Sequence, residues 1–188
     1  MIIGITGTDG AGKGTVVGYL VEQKGFVHYS ARAIWIKELN QQRTEPTRAN
    51  MRLIANKLRE ENGNDFLVTF YLKKINEEGV QNAVIESIRT VAEAETLKKR
   101  GGILIAIDAD QKIRYERVQK RRSESDHVSF EQFVEHEILE SNDLNPHGMQ
   151  KQKVIAMADY TIHNGGILKE LHEAIESLFK SLQEERIV

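Results

Sequence analysis

The stretch Gly7-Thr8-Asp9-Gly10-Ala11-Gly12-Lys13-Gly14-Thr15 constrains this chain more than any other. It follows a short apolar run, Ile2–Thr6, and opens a helical segment from Lys13 to about Gln23. Strand, glycine loop and helix in that order turn backbone amides toward an anion, because glycine allows conformations and close approaches that a Cβ obstructs. The helix start contributes unpaired N–H groups and the positive end of its dipole. Lys13 brings a point charge suited to the β and γ phosphates of a nucleoside triphosphate. One position departs from the usual form of such loops: Gly14 stands where a Ser or Thr hydroxyl would ligate Mg²⁺, and the hydroxyl arrives one residue later, as Thr15.

Beyond the loop, short apolar runs alternate with longer amphipathic stretches, the pattern of a parallel sheet with crossover helices. The expected strands are Ile2–Thr6, Phe26–Tyr29, Ala83–Glu86, Ile103–Asp108 and Tyr160–His163. Helices are expected over Ala31–Leu39, about Thr47–Glu61, about Asp65–Glu78, Val91–Lys99, about Asp110–Arg122, and from Leu168 to about Gln183. Ser129 and Gln132 have capping-box spacing, which predicts a helix to about Glu140, and a loop over Ser141–His147 then leads into a helix ending near Met157. Two consecutive helices without a strand between them mark an insert between the second and third strands, over about 31–78, suited to covering a substrate. The polar Ser123–Val128 segment marks a lid, over about 121–140. A chain of 188 residues, 40% apolar, buries one good core, so one domain over 1–188 is expected.

Composition narrows the chemistry. The 26 Lys and Arg nearly balance 28 Asp and Glu, which argues against a whole-molecule field for nucleic acid or an anionic membrane. Without cysteine there are no disulfides, thiolate metal sites or cysteine nucleophiles, and the six histidines show no metal-binding spacing. No run is long and apolar enough to span a bilayer, and Met1-Ile-Ile-Gly-Ile-Thr6 leaves no room for a leader before the loop. A cytoplasmic placement is the expectation.

Phosphoryl transfer needs cations around the moving group and a carboxylate to organise metal-bound water or the acceptor. Glu86 ends the third strand, and Arg89 follows three residues on. Arg114, Arg117 and Arg121 recur at helical spacing and lead, with Arg122, into the polar segment. Arg32 follows the second strand, and Arg48 and Arg52 on the insert are alternatives to it.

These residues carry a resemblance. Gly12-Lys-Gly-Thr15 resembles the loop of adenylate kinases, in which nucleotide and water mainly hold the metal, and Asp9-Gly-Ala-Gly-Lys13 resembles that of thymidylate kinases, whose aspartate approaches the acceptor's sugar. Glu86-Ser-Ile-Arg89 is similar to the Asp-Gly-x-x-Arg element of nucleoside monophosphate kinases. Ala158-Asp-Tyr-Thr-Ile-His-Asn164-Gly165 resembles a segment of dephospho-CoA kinases that packs the ATP base. Ile85–Arg89 and Asp108–Arg117 are also similar to P-loop domains that precede deoxycytidylate deaminases. The resemblance, to the adenylate kinase-like and dephospho-CoA kinase-like branch of P-loop kinases, implies a three-layer α/β/α fold with a five-stranded parallel sheet in the order 2-3-1-4-5.

It implies an ATP- and Mg²⁺-dependent kinase acting on a nucleotide-like acceptor, foremost a (deoxy)nucleoside monophosphate. Dephospho-CoA is the alternative acceptor, and a non-catalytic nucleotide sensor regulating a deaminase-type partner is an alternative of another class; a homodimer is a further partner reading. On this resemblance Gly7, Asp9, Gly10, Ala11, Gly12, Lys13, Gly14, Thr15, Arg117, Asn164 and Gly165 bind ATP. Lys13, Glu86, Arg117 and Arg121 act in catalysis, Asp9, Arg32 and Arg89 meet the acceptor, and Glu86 holds the metal through water.

Overall fold

The computed structural model describes residues 1–121, 128–141 and 143–185. Five parallel strands, β1 (Ile2–Gly7), β2 (Val27–Ser30), β3 (Ala83–Glu86), β4 (Ile103–Asp108) and β5 (Tyr160–His163), form one sheet in the order β2-β3-β1-β4-β5. The expected strands and their order are therefore present. The helices are α1 (Lys13–Lys24), α2 (Ala31–Gln41), α3 (Arg48–Asn62), α4 (Phe66–Glu77), α5 (Val91–Lys99), α6 (Gln111–Arg121), α7 (Phe130–Ser141), α8 (Lys151–Ala156) and α9 (Leu168–Glu185).

Period-two alternation in the strands divides the apolar side chains into two cores. Ile3, Ile5, Val84, Ile105 and Ile107 pack toward α1 and α9, whose Val16, Val17, Leu20, Leu171, Ile175 and Leu178 form the opposing stripe. Ala83, Ile85 and Leu104 face the other way, toward the core shared by α2, α3, α4, α5 and α8. Each large side chain buried this way contributes about 1.5–3 kcal/mol relative to exposure. Gly4 lets α5 approach β1 closely, since a Cβ there would meet Leu97 Cδ2 at 2.3 Å.

Local chemistry sets the element ends. The Ser129 and Gln132 capping box forms: Gln132 N–H donates to Ser129 Oγ at 3.2 Å and Ser129 N–H to Gln132 Oε1 at 2.9 Å. Strand β2 starts one residue later than expected because Phe26 N–H closes α1 onto Leu20 O at 3.1 Å. Helix α8 is shorter than expected. The expected loop carries side-chain turns, with Asn145 and His147 N–H groups bonding to the side chains of Asp143 and Asn145, and Gln150 N–H donates to Arg89 O at 2.8 Å, so the helix starts only at Lys151. No helix among the described residues is long and apolar enough to cross a membrane.

Candidate functional site

The glycine loop leaves the carboxyl end of the central strand β1, where its neighbours β3 and β4 also end. This is where open α/β sheets hold ligands. Gly7, Gly10 and Gly12 have φ of 129°, 77° and 95°, and the surroundings leave no room for a side chain. A Cβ on Gly7 would meet Ile107 O at 2.0 Å, on Gly10 the carbonyl of Arg114 at 2.4 Å, and on Gly12 the Nδ2 of Asn164 at 2.4 Å. Nothing crowds Gly14, and Thr15 is exposed beside it. The Lys13 and Gly14 amides, first in α1, have no acceptor among the described residues, so the cradle presents the free donors an anion requires.

Lys13 Nζ donates to the carbonyls of Thr8 and Gly7, at 2.7 and 3.2 Å, and lies 3.8 Å from Asp9 Oδ1. Burial, reinforced by Arg89 and Lys151, brings its pKa down to about 7, with Asp9 and Glu86 opposing the fall. An anion at the loop would restore its charge.

Asp9 is the hub. Its Oδ1 lies 3.2 Å from Lys151 Nζ and 3.5 Å from Arg89 Nη2, and its Oδ2 accepts from Arg48 at 2.5 Å. Burial works against ionisation of this carboxyl, but Lys151, Arg89, Lys13 and Arg48 together hold it well below the usual carboxylate range. Glu140, near the end of α7, accepts from both Arg48 and Lys151, at 2.5 and 2.8 Å. Burial opposes the Arg48 charge, while Glu140 and Asp9 reinforce it strongly.

Glu86 ends β3 beside β1, and its Oε2 lies 3.0 Å from His28 Nε2. The His28 hydrogen bond, against burial, and the charges of Lys13 and Arg89 hold its pKa below the ordinary value. No group of three His, Asp or Glu side chains able to cage a metal occurs among the described residues. One exposed hydroxyl and one strand-end carboxylate beside a phosphate cradle fit a Mg²⁺ ion carried largely by nucleotide and water.

The backbone at Glu86 turns sharply. Ser87 has φ 72°, in the left-handed region, and both Ser87 and Ile88 N–H groups donate to Ile5 O, at 2.9 and 3.0 Å. Arg89 emerges from this turn, which a buried carboxylate pins. Glu93, with no exposure, caps α5: its Oε2 accepts from Arg89 N and Thr90 N at 2.6 and 3.1 Å, while Glu93 N donates to Thr90 Oγ1. The other oxygen of Glu93 pairs with Arg59 Nε of α3 at 3.2 Å. Arg89 Nη1 is buried and has no hydrogen-bond partner among the described residues.

The remaining sequence candidates divide. Arg117 Nη1 donates to Asn164 O at 2.7 Å, and the Asn164 side chain donates to Ala11 O at 2.8 Å, so α6, the loop after β5 and the glycine loop are tied together. Gly165 lies in that loop with open space around its Cα. Arg114 donates to Asp9 O at 3.2 Å and pairs with Glu137 of α7. Arg32 is exposed at the start of α2 and has no ion pair or hydrogen bond among the described residues; Arg48, an alternative to it in the sequence, reaches Asp9 instead. The Arg121 side chain, Arg122 and residues 123–127 of the expected lid lie outside the described residues. Sequence reasoning missed Lys151, Glu140, Glu93 and Arg59, which carry no motif. The only available signal was placement: Glu93 completes a Thr-x-x-Glu capping box at Thr90.

A family model described as an AAA domain matches residues 3–140. The chain is 30% identical over 186 residues to a UPF0200 protein of Methanothermobacter thermautotrophicus, covering 98% of this chain and 92% of the relative. It is 32% identical over 188 residues to a UPF0200 protein of Methanocaldococcus jannaschii, covering 98% and 90%. Among solved structures, shikimate kinase from Bacteroides thetaiotaomicron superposes with a TM-score of 0.65 at 14% identity, over 97% of this chain and 98% of that one. TT1252 from Thermus thermophilus gives 0.62 at 20% identity, over 97% of each. At such identities these likenesses establish a P-loop kinase-like fold.

Proposed function

The chain belongs to the UPF0200 family, and we propose that it is a P-loop kinase that moves the γ-phosphoryl of ATP onto a nucleotide-like acceptor, foremost a (deoxy)nucleoside monophosphate. The observation that carries this reading is the meeting of Arg48, from the insert, and Arg89, from the end of β3, on Asp9 of the phosphate loop. Two guanidinium groups reach one point beside a phosphate cradle, which supports a second anion-binding position next to the first.

On this reading the loop amides and Lys13 bind the β and γ phosphates, and Lys13 leaves its own loop carbonyls to do so. Arg117 and the Asn164–Gly165 turn border the base. Arg89 and Arg48 bind and orient the acceptor, with Asp9 on its sugar side, and Arg32 and Arg121 complete the cationic surround as the two halves close. Positioning and charge stabilisation supply most of the rate in such chemistry. Mg²⁺, when bound with nucleotide, neutralises charge across the β and γ phosphates, and Glu86 would hold it through water. A phosphate acceptor needs no base to remove a proton at neutral pH, which suits a site whose central carboxylate, Asp9, is held too strongly ionised by four cations to accept one.

The test is a panel of NMPs, dNMPs and dephospho-CoA with ATP and Mg²⁺, read as ADP production. Turnover with a monophosphate is expected. Turnover with dephospho-CoA alone would make the acceptor a ribose hydroxyl, and tight ATP binding without ADP would make the chain a nucleotide sensor. A Lys13→Ala variant with full activity would overturn the site.

A further inference from the structure

Lys151 is almost fully buried, at 5% side-chain exposure, and its ammonium rests on two carboxylates that are themselves shared. Oδ1 of Asp9 also faces Arg89 and Lys13, and Glu140 also holds Arg48. If Lys13 and Glu86 are assigned to the donor nucleotide, three cations, Arg48, Arg89 and Lys151, remain against two carboxylates, Asp9 and Glu140. One donor of that set, Arg89 Nη1, is buried without an acceptor among the described residues. Buried polar groups are nearly always satisfied, so a cluster with excess positive charge and an orphan donor lacks an anion.

We propose that Arg48, Arg89 and Lys151 form a subsite for a phosphate monoester dianion, with Lys151 as its innermost cation and Glu140 as the internal counter-ion that holds Lys151 and Arg48 until the ligand arrives. This rests on the kinase reading, in which Arg48 and Arg89 already meet the acceptor, and adds to it Lys151 and its counter-ion Glu140. The three cations come from α3, the β3–α5 turn and the start of α8, and so approach one point from separate directions. That suits the terminal oxygens of a tetrahedral phosphate, whereas a planar carboxylate is satisfied by one bidentate guanidinium. Asp9 stands among the three cations, and Arg48, the most exposed member at 36%, is the side from which an anion enters.

The experiment is calorimetric titration of the full chain with inorganic phosphate and, separately, acetate, in wild type and in Lys13→Met, Lys151→Met, Lys151→Arg and Glu140→Gln. ATP binding is measured in parallel. Phosphate affinity is expected to fall at least tenfold in Lys151→Met and to return within threefold in Lys151→Arg. It should tighten about threefold or more in Glu140→Gln. If Lys151→Met does not fold, the Lys151→Arg and Glu140→Gln results decide: no change in Glu140→Gln overturns the counter-ion role and the proposal with it. Phosphate binding lost with Lys13 but indifferent to position 151 overturns the subsite, as does acetate binding as tight as phosphate. Loss of ATP binding with phosphate binding still dependent on Lys151 removes the kinase reading and leaves the anion site standing. ATP turnover with no phosphate dependence on Lys151 does the reverse.

Discussion

Glu93→Ala tests the core of the structural argument, because one buried carboxylate is asked both to neutralise Arg59 and to hold the turn that delivers Arg89. Glu93 is wholly inaccessible and Arg59 is 2% exposed. Once the carboxylate is gone, Arg59 keeps only a long hydrogen bond to His147 O at 3.4 Å and the face of Trp35, whose ring centroid lies 5.9 Å away. Breaking a buried pair from one side costs about 3–5 kcal/mol. Arg89 N and Thr90 N lose their acceptor, and a lost cap adds about 1 kcal/mol. A destabilisation of about 4–6 kcal/mol is therefore expected, a large part of the total stability of an ordinary domain. Urea unfolding gives the value, provided the slope is unchanged. The companion Arg59→Met/Glu93→Leu double variant should recover most of the charge part, because the isolated ion is then absent. A Glu93→Ala cost below about 1.5 kcal/mol, or a double variant as unstable as the sum of the singles, would refute the claim that this pair governs the turn. Activity provides a second reading. Glu93→Gln keeps the backbone acceptor but alters the pair, so an effect confined to the acceptor KM would trace to the Arg89 position.

Other consequences follow from the same geometry. Ser87→Gly relieves a left-handed residue, worth about 1–2 kcal/mol, against an unfolded-state entropy cost of up to about 1, so a gain of about 0.5–1 kcal/mol in urea unfolding is expected; a loss would mean that the serine side chain stabilises the turn. Gly12→Ala puts a Cβ against Asn164 Nδ2 in a backbone with φ 95°, and should weaken ATP binding at least tenfold by fluorescent-nucleotide titration; unchanged affinity would separate the loop from the nucleotide. Lys13, with its pKa lowered from 10.5 to about 7, holds fewer protons in the folded chain than in the unfolded chain between those values, so its penalty on stability is present below pH 7 and lifts as pH rises through that window. Triphosphate binding reverses the shift, so ATP binding near pH 8.5 should take up a proton. Calorimetry in buffers of different ionisation enthalpy detects it, and equal uptake in Lys13→Met would assign the proton elsewhere.

Much of this molecule was legible without coordinates, for a physical reason: the features that were read act over short sequence distances. Gly7 to Thr15 is a local anion cradle, the alternation in Ile3–Ile5 and Leu104–Ile107 is a local consequence of the pleat, and Ser129 with Gln132 caps its own helix. Sheet order came from resemblance, and pairing bore it out. Where a bond to a distant residue replaced the start of a helix, as at Gln150 N–H on Arg89 O, the expected boundary moved. The sequence by itself thus determined a phosphate-loop fold and the glycine loop of its candidate site. Only the tertiary structure decided which distant side chains meet that loop. Arg48 lies 39 residues from Asp9, and Lys151, Glu140 and Glu93 sit in amphipathic stretches where a charged residue ordinarily faces water. Their roles arise because parallel crossovers bring α3, the β3 turn, α7 and α8 to one end of the sheet. Burial there makes a few ion pairs strong enough to set the geometry of the phosphate loop.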